Sequence, residues 1–344
     1  MKSKVILIGA IDEGNVPTNG ETMKNQLFVK RYKQLFDKVI SVDTLNWQRR
    51  PFLFFKMLFV LLFNRNASVI ISASGAASYL ISFLYYIPLK KNVFFWVVGG
   101  NLADSIKKNN YNLKALQHLK GILVQGKSMV LELNNIGLNN VKYVPNSKPI
   151  HSIIPSPKHS PIRFVFLSRI HPDKGIKEII EAEEKLLESG LSDKFIIDFY
   201  GKIDPLYKED FFSLIDKFPN ISYKGVLNLL DIKGYKTLSE YDMMLFPTYW
   251  WGEGFPGIVI DAYMVGVPII ASDWNLNKEV VKHNVTGYII PSHDSKMLTR
   301  YMLQLINNEI SLEELKLNCL EAAKLFDYRN VLSPELFKSL EILK

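Results

Sequence analysis

Two carboxylates stand on either side of a glycine-rich turn in the second half of the chain. Glu253 begins the turn 253–257, and Asp261 lies eight residues after Glu253. The apolar run 258–265 predicts a helix, and the first backbone N–H groups of a helix lack partners within it and attract anions. Two acids fixed near such a helix start can bind a ligand that also carries phosphate. The combination indicates a nucleotide-sugar site.

The spacing of the two acids bears on the kind of chemistry. Eight residues, most of them helical at about 1.5 Å per residue, place the carboxylates roughly 10 Å apart. A glycosidase acid pair needs only about 5 to 9.5 Å across one sugar carbon. The spacing therefore favours two ends of one extended ligand, with a sugar at Glu253 and a ribose at Asp261. A helix-face acid in water is the alternative for Asp261.

Two basic residues flank a turn that follows a predicted strand. Arg169 and Lys174 come after the apolar run 163–167, and a helix is predicted to begin near Gly175. A guanidinium offers a planar fork of donors and an ammonium a point charge, which together suit a diphosphate. The alternative is a solvated basic turn. His171 precedes a proline and is interpreted as a turn residue.

Size and composition bound the class of protein. The 344 residues, 48% of them hydrophobic, are enough for two domains with their own cores. The single cysteine, Cys319, excludes a disulfide framework and a cysteine-based zinc site, which fits a reducing, cytoplasmic setting. The first apolar run is too short for a secretory signal and predicts a first strand instead.

The net charge of +8 favours binding to anionic partners. The basic residues are scattered, and the sequence has no motif of the kind that binds nucleic-acid grooves or stacks on bases. A nucleic-acid partner is therefore not expected. The apolar run 52–63 follows Arg49 and Arg50 and is too short to span a bilayer. We expect peripheral contact with the inner face of the cell membrane, and a core-packed helix is the alternative.

Short apolar runs alternate with helical patterns along the whole chain, which predicts two doubly wound parallel α/β domains. We expect domains at 1–148 and 162–325, a proline-rich linker at 149–161, and a C-terminal helix at 326–344 that packs on the first domain. Ligands of such sheets bind beyond the carboxyl ends of the strands, here in a cleft between the domains. The predicted strands are 5–9, 38–42, 68–72, 93–98, 121–125, 141–144, 163–167, 195–200, 221–223, 243–246, 269–271 and 288–290. The predicted helices are 21–35, 51–63, 76–86, 113–119, 128–134, 176–187, 208–217, 229–238, 258–265 and 295–307, and a helical tail over 312–343 with a break at Pro334.

These motifs resemble those of the retaining GT-B glycosyltransferases of family 4. The likeness rests on Arg169-x4-Lys174-Gly175, on the turn Glu253-Gly254-Phe255-Pro256, on the Glu253-x7-Asp261 spacing, and on Gly266-Val267-Pro268 with the strand that follows. It extends over nearly the whole chain in layout, although its specific motifs lie in the second half. The resemblance implies a GT-B fold, with acceptor binding in the first domain and donor binding in the second.

The resemblance also assigns roles to residues. Arg169 and Lys174 would hold the donor diphosphate, and Glu253 the donor sugar. Asp261 would bind the ribose hydroxyl groups. The loop at Gly20 would approach the donor phosphates, Asn146 matches a hinge asparagine, and Glu279 a glutamate after the fifth strand. The donor-binding set is Gly20, Arg169, Lys174, Glu253, Gly254, Phe255, Pro256, Gly257 and Asp261, of which Arg169, Lys174 and Glu253 are also catalytic candidates.

The sequence departs from that family in two places. The family usually has glutamate at position 261, and an aspartate is one methylene shorter. Many members carry a histidine after the fourth strand, where this chain reads Val98-Gly99-Gly100-Asn101. Asn101 and Asp104 are therefore candidates for acceptor binding. The alternative is an ordinary strand-to-helix turn that one of them caps.

The expected activity is retaining transfer of a sugar from a UDP- or GDP-sugar to a saccharide or lipid-linked saccharide, in bacterial surface polysaccharide (capsule or lipopolysaccharide) synthesis. The sequence has no Asp-x-Asp motif and no acidic or histidine cluster with ligand spacing, so neither a metal nor another cofactor is expected. A nucleotide-sugar epimerase of the same fold is the alternative. A nicotinamide dehydrogenase is disfavoured because residues 9–14 lack the G-x-G-x-x-G pattern. An exported binding protein would need a convincing signal peptide.

Overall fold

The computed structural model describes residues 3–17, 19–50, 52–74, 76–86 and 92–343. The chain divides into two compact units, and each is described by itself. Unit one comprises Met1–Asn146 and Tyr328–Lys344, and unit two comprises Ser147–Asp327. Residues 149–161, for which the sequence predicts a linker, contain no helix or strand and belong to unit two.

The described strands all lie where the sequence predicts them, within two residues at either end. Parallel strands buried on both faces appear in the sequence as continuous apolar runs, so they are readily recognised. The strands are β1 Lys4–Gly9, β2 Lys38–Asp43, β3 Ser68–Ile71, β4 Val93–Trp96, β5 Gly121–Val124, β6 Val141–Tyr143, β7 Ile162–Leu167, β8 Phe195–Tyr200, β9 Ile221–Tyr223, β10 Met243–Phe246, β11 Ile269–Ser272 and β12 Gly287–Ile290.

The helices also follow the predictions, with two additions, α4 and α11. Predicted helix 229–238 begins three residues late because the Asp231 side chain accepts hydrogen bonds from the N–H groups of Lys233 and Gly234 and so caps the helix. Pro51, predicted to begin the second helix, lies outside the described residues. The helices are α1 Gly20–Leu35, α2 Leu53–Phe63, α3 Ala77–Tyr86, α4 Leu102–Lys107, α5 Leu113–Gln117, α6 Lys127–Asn135, α7 Ile176–Glu188, α8 Lys208–Ile215, α9 Ile232–Ser239, α10 Gly257–Met264, α11 Asn277–Val280, α12 Ser295–Ile306, α13 Leu312–Lys324, α14 Tyr328–Val331 and α15 Pro334–Ser339.

Unit one is a parallel sheet in the order β2-β1-β3-β4-β5-β6. Its core includes the C-terminal tail, where α15 begins after the predicted break, with Pro334 in its first turn. The Phe337 ring lies 5.4 Å from Tyr32 and 5.3 Å from Phe36, with the edge of one ring against the face of the other in both pairs. The last helix therefore belongs to the core of unit one.

Unit two is a parallel sheet in the order β12-β11-β10-β7-β8-β9. Its core forms around the phenylalanines of β7 and β8 and the apolar face of α7. The strand order reverses between β7 and β10, and such a switch point opens a crevice at the carboxyl ends of the strands. Within the described residues, no helix has the length and apolar character needed to cross a membrane.

Candidate functional site

The loops that follow β7 and β10 meet at the switch point of unit two. Met243 of β10 pairs with Phe164 of β7, so both strands end at the same edge of the sheet. The first loop carries Arg169 and Lys174, and the second carries Glu253. Residues from two separate sequence motifs are therefore brought to one site.

A glycine joins these two loops closely. Gly175 has a φ of +79°, and a Cβ there would lie 2.3 Å from the carbonyl oxygen of Pro247, so glycine alone fits this position. Nearby, the Tyr249 N–H donates to the Asp173 carbonyl at 2.8 Å. His171 accepts a hydrogen bond from the Asp173 N–H at 3.2 Å, which confirms its prediction as a turn residue.

Two cations share the ring of Trp250. The Arg169 guanidinium lies 5.0 Å from the ring centroid and the Lys174 ammonium 5.7 Å from it. Lys174 forms a salt bridge with Glu253, and the two side chains are only 7% and 14% exposed. We refer to Arg169, Lys174, Trp250 and Glu253 as the Trp250 cluster. Its two cations and one carboxylate leave one net positive charge at the end of the sheet.

The turn that carries Glu253 is held by its neighbours. The Trp274 indole N–H donates to the Trp250 carbonyl at 2.8 Å, and the Asn275 amide donates to the Glu253 carbonyl at 2.8 Å. The Phe255 side chain is buried with its ring 5.3 Å from Phe326. These contacts hold the backbone in place and leave the Glu253 carboxylate to face Lys174.

Helix α10 begins directly after this turn. Pro256 occupies its N-cap position, and among the described residues no side chain caps its first turn. The N–H groups from Gly257 onward therefore offer a positive helix end to an anion. The arrangement of cations and a helix start matches what a diphosphate requires.

Asp261 sits one turn further along α10 and is 1% exposed. Its carboxylate forms a salt bridge with Lys148 and accepts a hydrogen bond from the Tyr235 hydroxyl at 2.8 Å. The alternative of a helix-face acid in water is therefore wrong. Burial, and next the Asp261 charge, raise the pKa of Tyr235 well above its ordinary value, so Tyr235 stays a donor.

Sequence reasoning missed both partners of Asp261. Lys148 and Tyr235 lie 113 and 26 residues away from it along the chain. Neither belongs to a motif, and no local pattern marks either one. A carboxylate has about four lone-pair sites, so these two contacts leave acceptor capacity for a ligand hydroxyl.

The aromatic run 249–251 lies just before Glu253. Within it, the Trp250 ring faces the two cations, and the Tyr249 ring lies 3.9 Å from the His293 ring. Burial raises the pKa of Tyr249 to about 12. Trp251 is 57% exposed. Within the described residues, no three histidine, cysteine or acidic side chains are grouped to hold a metal ion.

Unit one contains a pocket of about 550 Å³ near the ends of β3 and β4. We call it the hydroxyl pocket because hydroxyl and amide side chains line much of it. Asn101 is in its wall at the N-cap position of α4, and among the described residues its side chain makes no capping bond. Asp104 lies outside the lining and pairs with Lys107 at 3.8 Å. The polar lining includes Ser74, Ser78, Ser82, Asn101, Ser105 and Asn110.

The loop after β1 approaches the same part of unit one. The Asn19 side chain caps α1 by accepting from the Thr22 N–H at 2.9 Å, and Gly20 is the first residue of the helix. The Glu21 carboxylate accepts from the Ser74 hydroxyl at 2.5 Å. Lys24 donates to the Val97 carbonyl at 3.2 Å, and burial lowers its pKa to about 7. No described atom lies within 4 Å of a Cβ built at Gly20, so the space beside it is open.

Comparison with known proteins gives a family match over residues 148–325, just over half of the chain, to "Glycosyl transferases group 1". Over 159 residues the chain is 28% identical to the amylovoran biosynthesis glycosyltransferase AmsK of Erwinia amylovora, covering 44% of this chain and 37% of the relative. Over 213 residues it is 24% identical to a Staphylococcus aureus poly(ribitol-phosphate) alpha-N-acetylglucosaminyltransferase, covering 59% of this chain and 40% of the relative. The chain thus spans about two fifths of the length of these relatives.

A solved structure extends the comparison over the whole fold. Anabaena Alr3699/HepE in complex with UDP superposes with a TM-score of 0.73 at 13% identity, covering 99% of this chain and all of the other. The predicted fold class, two doubly wound parallel α/β domains of the GT-B type, is confirmed.

Proposed function

The chain belongs to the glycosyl transferases group 1 family, and from that premise we propose that it transfers a sugar from a nucleotide diphosphate sugar to a saccharide or lipid-linked saccharide, with retention at the anomeric carbon. The observation that carries the proposal is the Trp250 cluster beside the uncapped start of α10. UDP in the solved Anabaena relative supports a UDP-sugar donor, with a GDP-sugar as the other candidate.

The geometry suggests how unit two would act on such a donor. Arg169, Lys174 and the first N–H groups of α10 would bind the diphosphate and stabilise the charge that develops as it leaves. In this role they take the place of a divalent cation. Glu253 would position the sugar, and Asp261 would accept from a ribose hydroxyl beside Lys148. The role of Gly20 would be to let the donor phosphates approach the α1 backbone.

The reaction would be a displacement on one face of the sugar. The bond from the anomeric carbon to the β-phosphate oxygen breaks, and the acceptor oxygen forms its bond to that carbon on the same face. The acceptor proton passes to the departing β-phosphate oxygen, which leaves a nucleoside diphosphate. Charge stabilisation of this kind supplies the main catalytic effect where no side chain serves as nucleophile.

The hydroxyl pocket of unit one is the proposed acceptor site. Its serine and asparagine groups suit the hydroxyl groups of a neutral saccharide, and Asn101 is the proposed contact. Asp104 is the weaker candidate because it lies outside the lining and already pairs with Lys107. The relative that makes amylovoran supports a role in bacterial surface polysaccharide synthesis.

Transfer can be tested with UDP-glucose, UDP-N-acetylglucosamine and GDP-mannose, each with and without a short saccharide acceptor, in the presence of a chelator. We expect one donor to give a glycoside only when acceptor is present, with the anomeric configuration of the donor seen by NMR. Isomerisation of the donor sugar without acceptor would favour the epimerase alternative, which the relatives do not support. An inverted product, or activity that a chelator abolishes, would overturn the proposed mechanism.

A further inference from the structure

Helix α2 buries only one side of its apolar surface. Met57 and Leu61 pack inside unit one. On the opposite side, phenylalanines recur at intervals of three and four residues, which places them on one helix face. Their exposures are 80% for Phe52, 66% for Phe55, 60% for Phe59 and 71% for Phe63. We call these four residues the aromatic face.

Helix α3 extends this surface. The Phe54 ring lies 4.7 Å from Phe83, and the Trp47 ring lies 5.7 Å from Tyr79. Between the two helices runs an apolar groove of about 370 Å³. Contiguous exposed apolar surface of this kind marks a site of interaction with a protein, a ligand or a membrane.

Exposed cations flank the aromatic face. The sequence contains no aspartate or glutamate between Asp43 and Asp104. Arg49 and Lys56 fall within that interval and are exposed, whereas the neighbouring Arg50 pairs with Asp43 at 3.9 Å. A surface that is apolar and predominantly cationic complements an anionic lipid surface, where each nearby cation strengthens binding about 5-fold.

We propose that the aromatic face and its flanking cations dock unit one on an anionic lipid bilayer. Helix α2 has 11 residues, about 16 Å of helix, whereas a bilayer core is about 30 Å thick. The helix therefore lies in the plane of the interface, with its phenylalanines at the boundary between headgroups and acyl chains. The surface contains none of the donor residues, so this proposal stands or falls separately from the proposed function.

A second copy of the chain fits this surface less well. A two-fold dimer would place the same patch of both copies face to face. Arg49 and Lys56 of the two copies would then meet, and residues 44–103 hold no carboxylate to pair them. The charge pattern thus favours lipid over self-association.

The test is sedimentation of the full chain with vesicles of phosphatidylcholine alone and of an equal mixture with phosphatidylglycerol. We expect binding to the mixed vesicles, weak binding to phosphatidylcholine, and release at high salt. The double variant Phe55→Ser/Phe59→Ser should bind at least ~10-fold more weakly, because two aromatic side chains no longer enter the interface. Arg49→Gln/Lys56→Gln should lose roughly 25-fold, at about 5-fold for each charge.

Leu131→Ser provides a matched control, since Leu131 is 66% exposed on α6 and shares the exposure of Phe55. It should bind as the parent chain does, and all variants should keep the parent unfolding temperature. Equal binding by the Phe55→Ser/Phe59→Ser variant would overturn the proposal. A parent chain that binds neither kind of vesicle would also overturn the proposal, whether it stays a monomer or forms a dimer that Phe59→Ser dissociates.

Discussion

The two units present different chemistry at the carboxyl ends of their sheets. Unit two gathers formal charge, with Arg169 and Lys174 over Trp250 and Glu253 against Lys174. The hydroxyl pocket of unit one is lined instead by serine, asparagine and tyrosine side chains. Charge suits a diphosphate, and neutral donors and acceptors suit a saccharide. The contrast supports a donor in unit two and an acceptor in unit one.

The largest expected effect is at Arg169. Arg169 is exposed, so Arg169→Gln should leave the fold intact. It should lower kcat roughly 100-fold or more, because one of the cations proposed to stabilise the departing diphosphate is lost. Steady-state transfer kinetics would show this, with Lys177→Gln as the control, since Lys177 is 77% exposed and pairs with Glu181. A kcat within twofold of the parent would break the assignment of the donor to unit two.

A second prediction concerns Glu183, a buried acid of unit two. It contrasts with Glu253, whose carboxylate pairs with Lys174. Glu183 is 0% exposed, and among the described residues neither carboxylate oxygen has a hydrogen-bond partner. Burial raises its pKa from 4.5 to about 7. The folded form then keeps a proton that the unfolded chain releases, so stability is greatest below pH ~4.5 and falls as pH rises towards ~7.

The loss amounts to about 3 kcal/mol over that interval. Glu183→Gln should remove it, so the variant gains stability over the parent as pH rises, as measured by urea unfolding from pH 5 to pH 8. Glu184→Gln, at an exposed neighbouring position, should leave the pH profile unchanged. If the free energies of unfolding of the parent and Glu183→Gln changed with pH in parallel, the buried acid would not be protonated.

Asp261 gives an effect of intermediate size. Asp261→Asn keeps the shape of the side chain and removes its charge, so a ribose hydroxyl loses a charged acceptor. Affinity for the nucleoside diphosphate should fall by about 2 kcal/mol, roughly 30-fold. The variant also leaves Lys148 without its carboxylate, so Lys148→Met/Asp261→Asn should recover stability without recovering affinity. Unchanged nucleotide affinity would remove Asp261 from the donor site.

The smallest effect is expected in unit one. Asn101→Ala removes one neutral hydrogen bond to the acceptor, worth about 1 kcal/mol, and should raise the acceptor KM roughly 5-fold. The donor affinity should not change. Asp104→Ala, outside the pocket, is the control and should leave both constants unaltered. If Asp104→Ala raised the acceptor KM and Asn101→Ala did not, the acceptor would lie elsewhere.

The sequence predicted most helices and strands well, because each has a recognisable pattern of apolar residues within a short segment. Strand β10, Met243–Phe246, matches its prediction because it is an apolar run buried on both faces. Helices α4 and α11 were missed because six and four residues are too few to show helical periodicity.

The candidate site was predicted only in part. The motifs of the Trp250 cluster were recognisable because each lies on one continuous turn. The partners of Asp261 were not, because Lys148 and Tyr235 reach it from distant segments and belong to no motif. The aromatic ring shared by Arg169 and Lys174 likewise depends on two loops that meet only in the folded sheet.

The central claim is that the cations of unit two hold the diphosphate of the donor. Titration calorimetry with UDP, UMP, GDP and GMP tests it directly, using the parent chain and Arg169→Gln. We predict that one diphosphate binds at least ~10-fold more tightly than its monophosphate, and that Arg169→Gln removes most of this difference while it spares the monophosphate. Equal affinity for diphosphate and monophosphate, or a difference that survives in Arg169→Gln, would contradict the account.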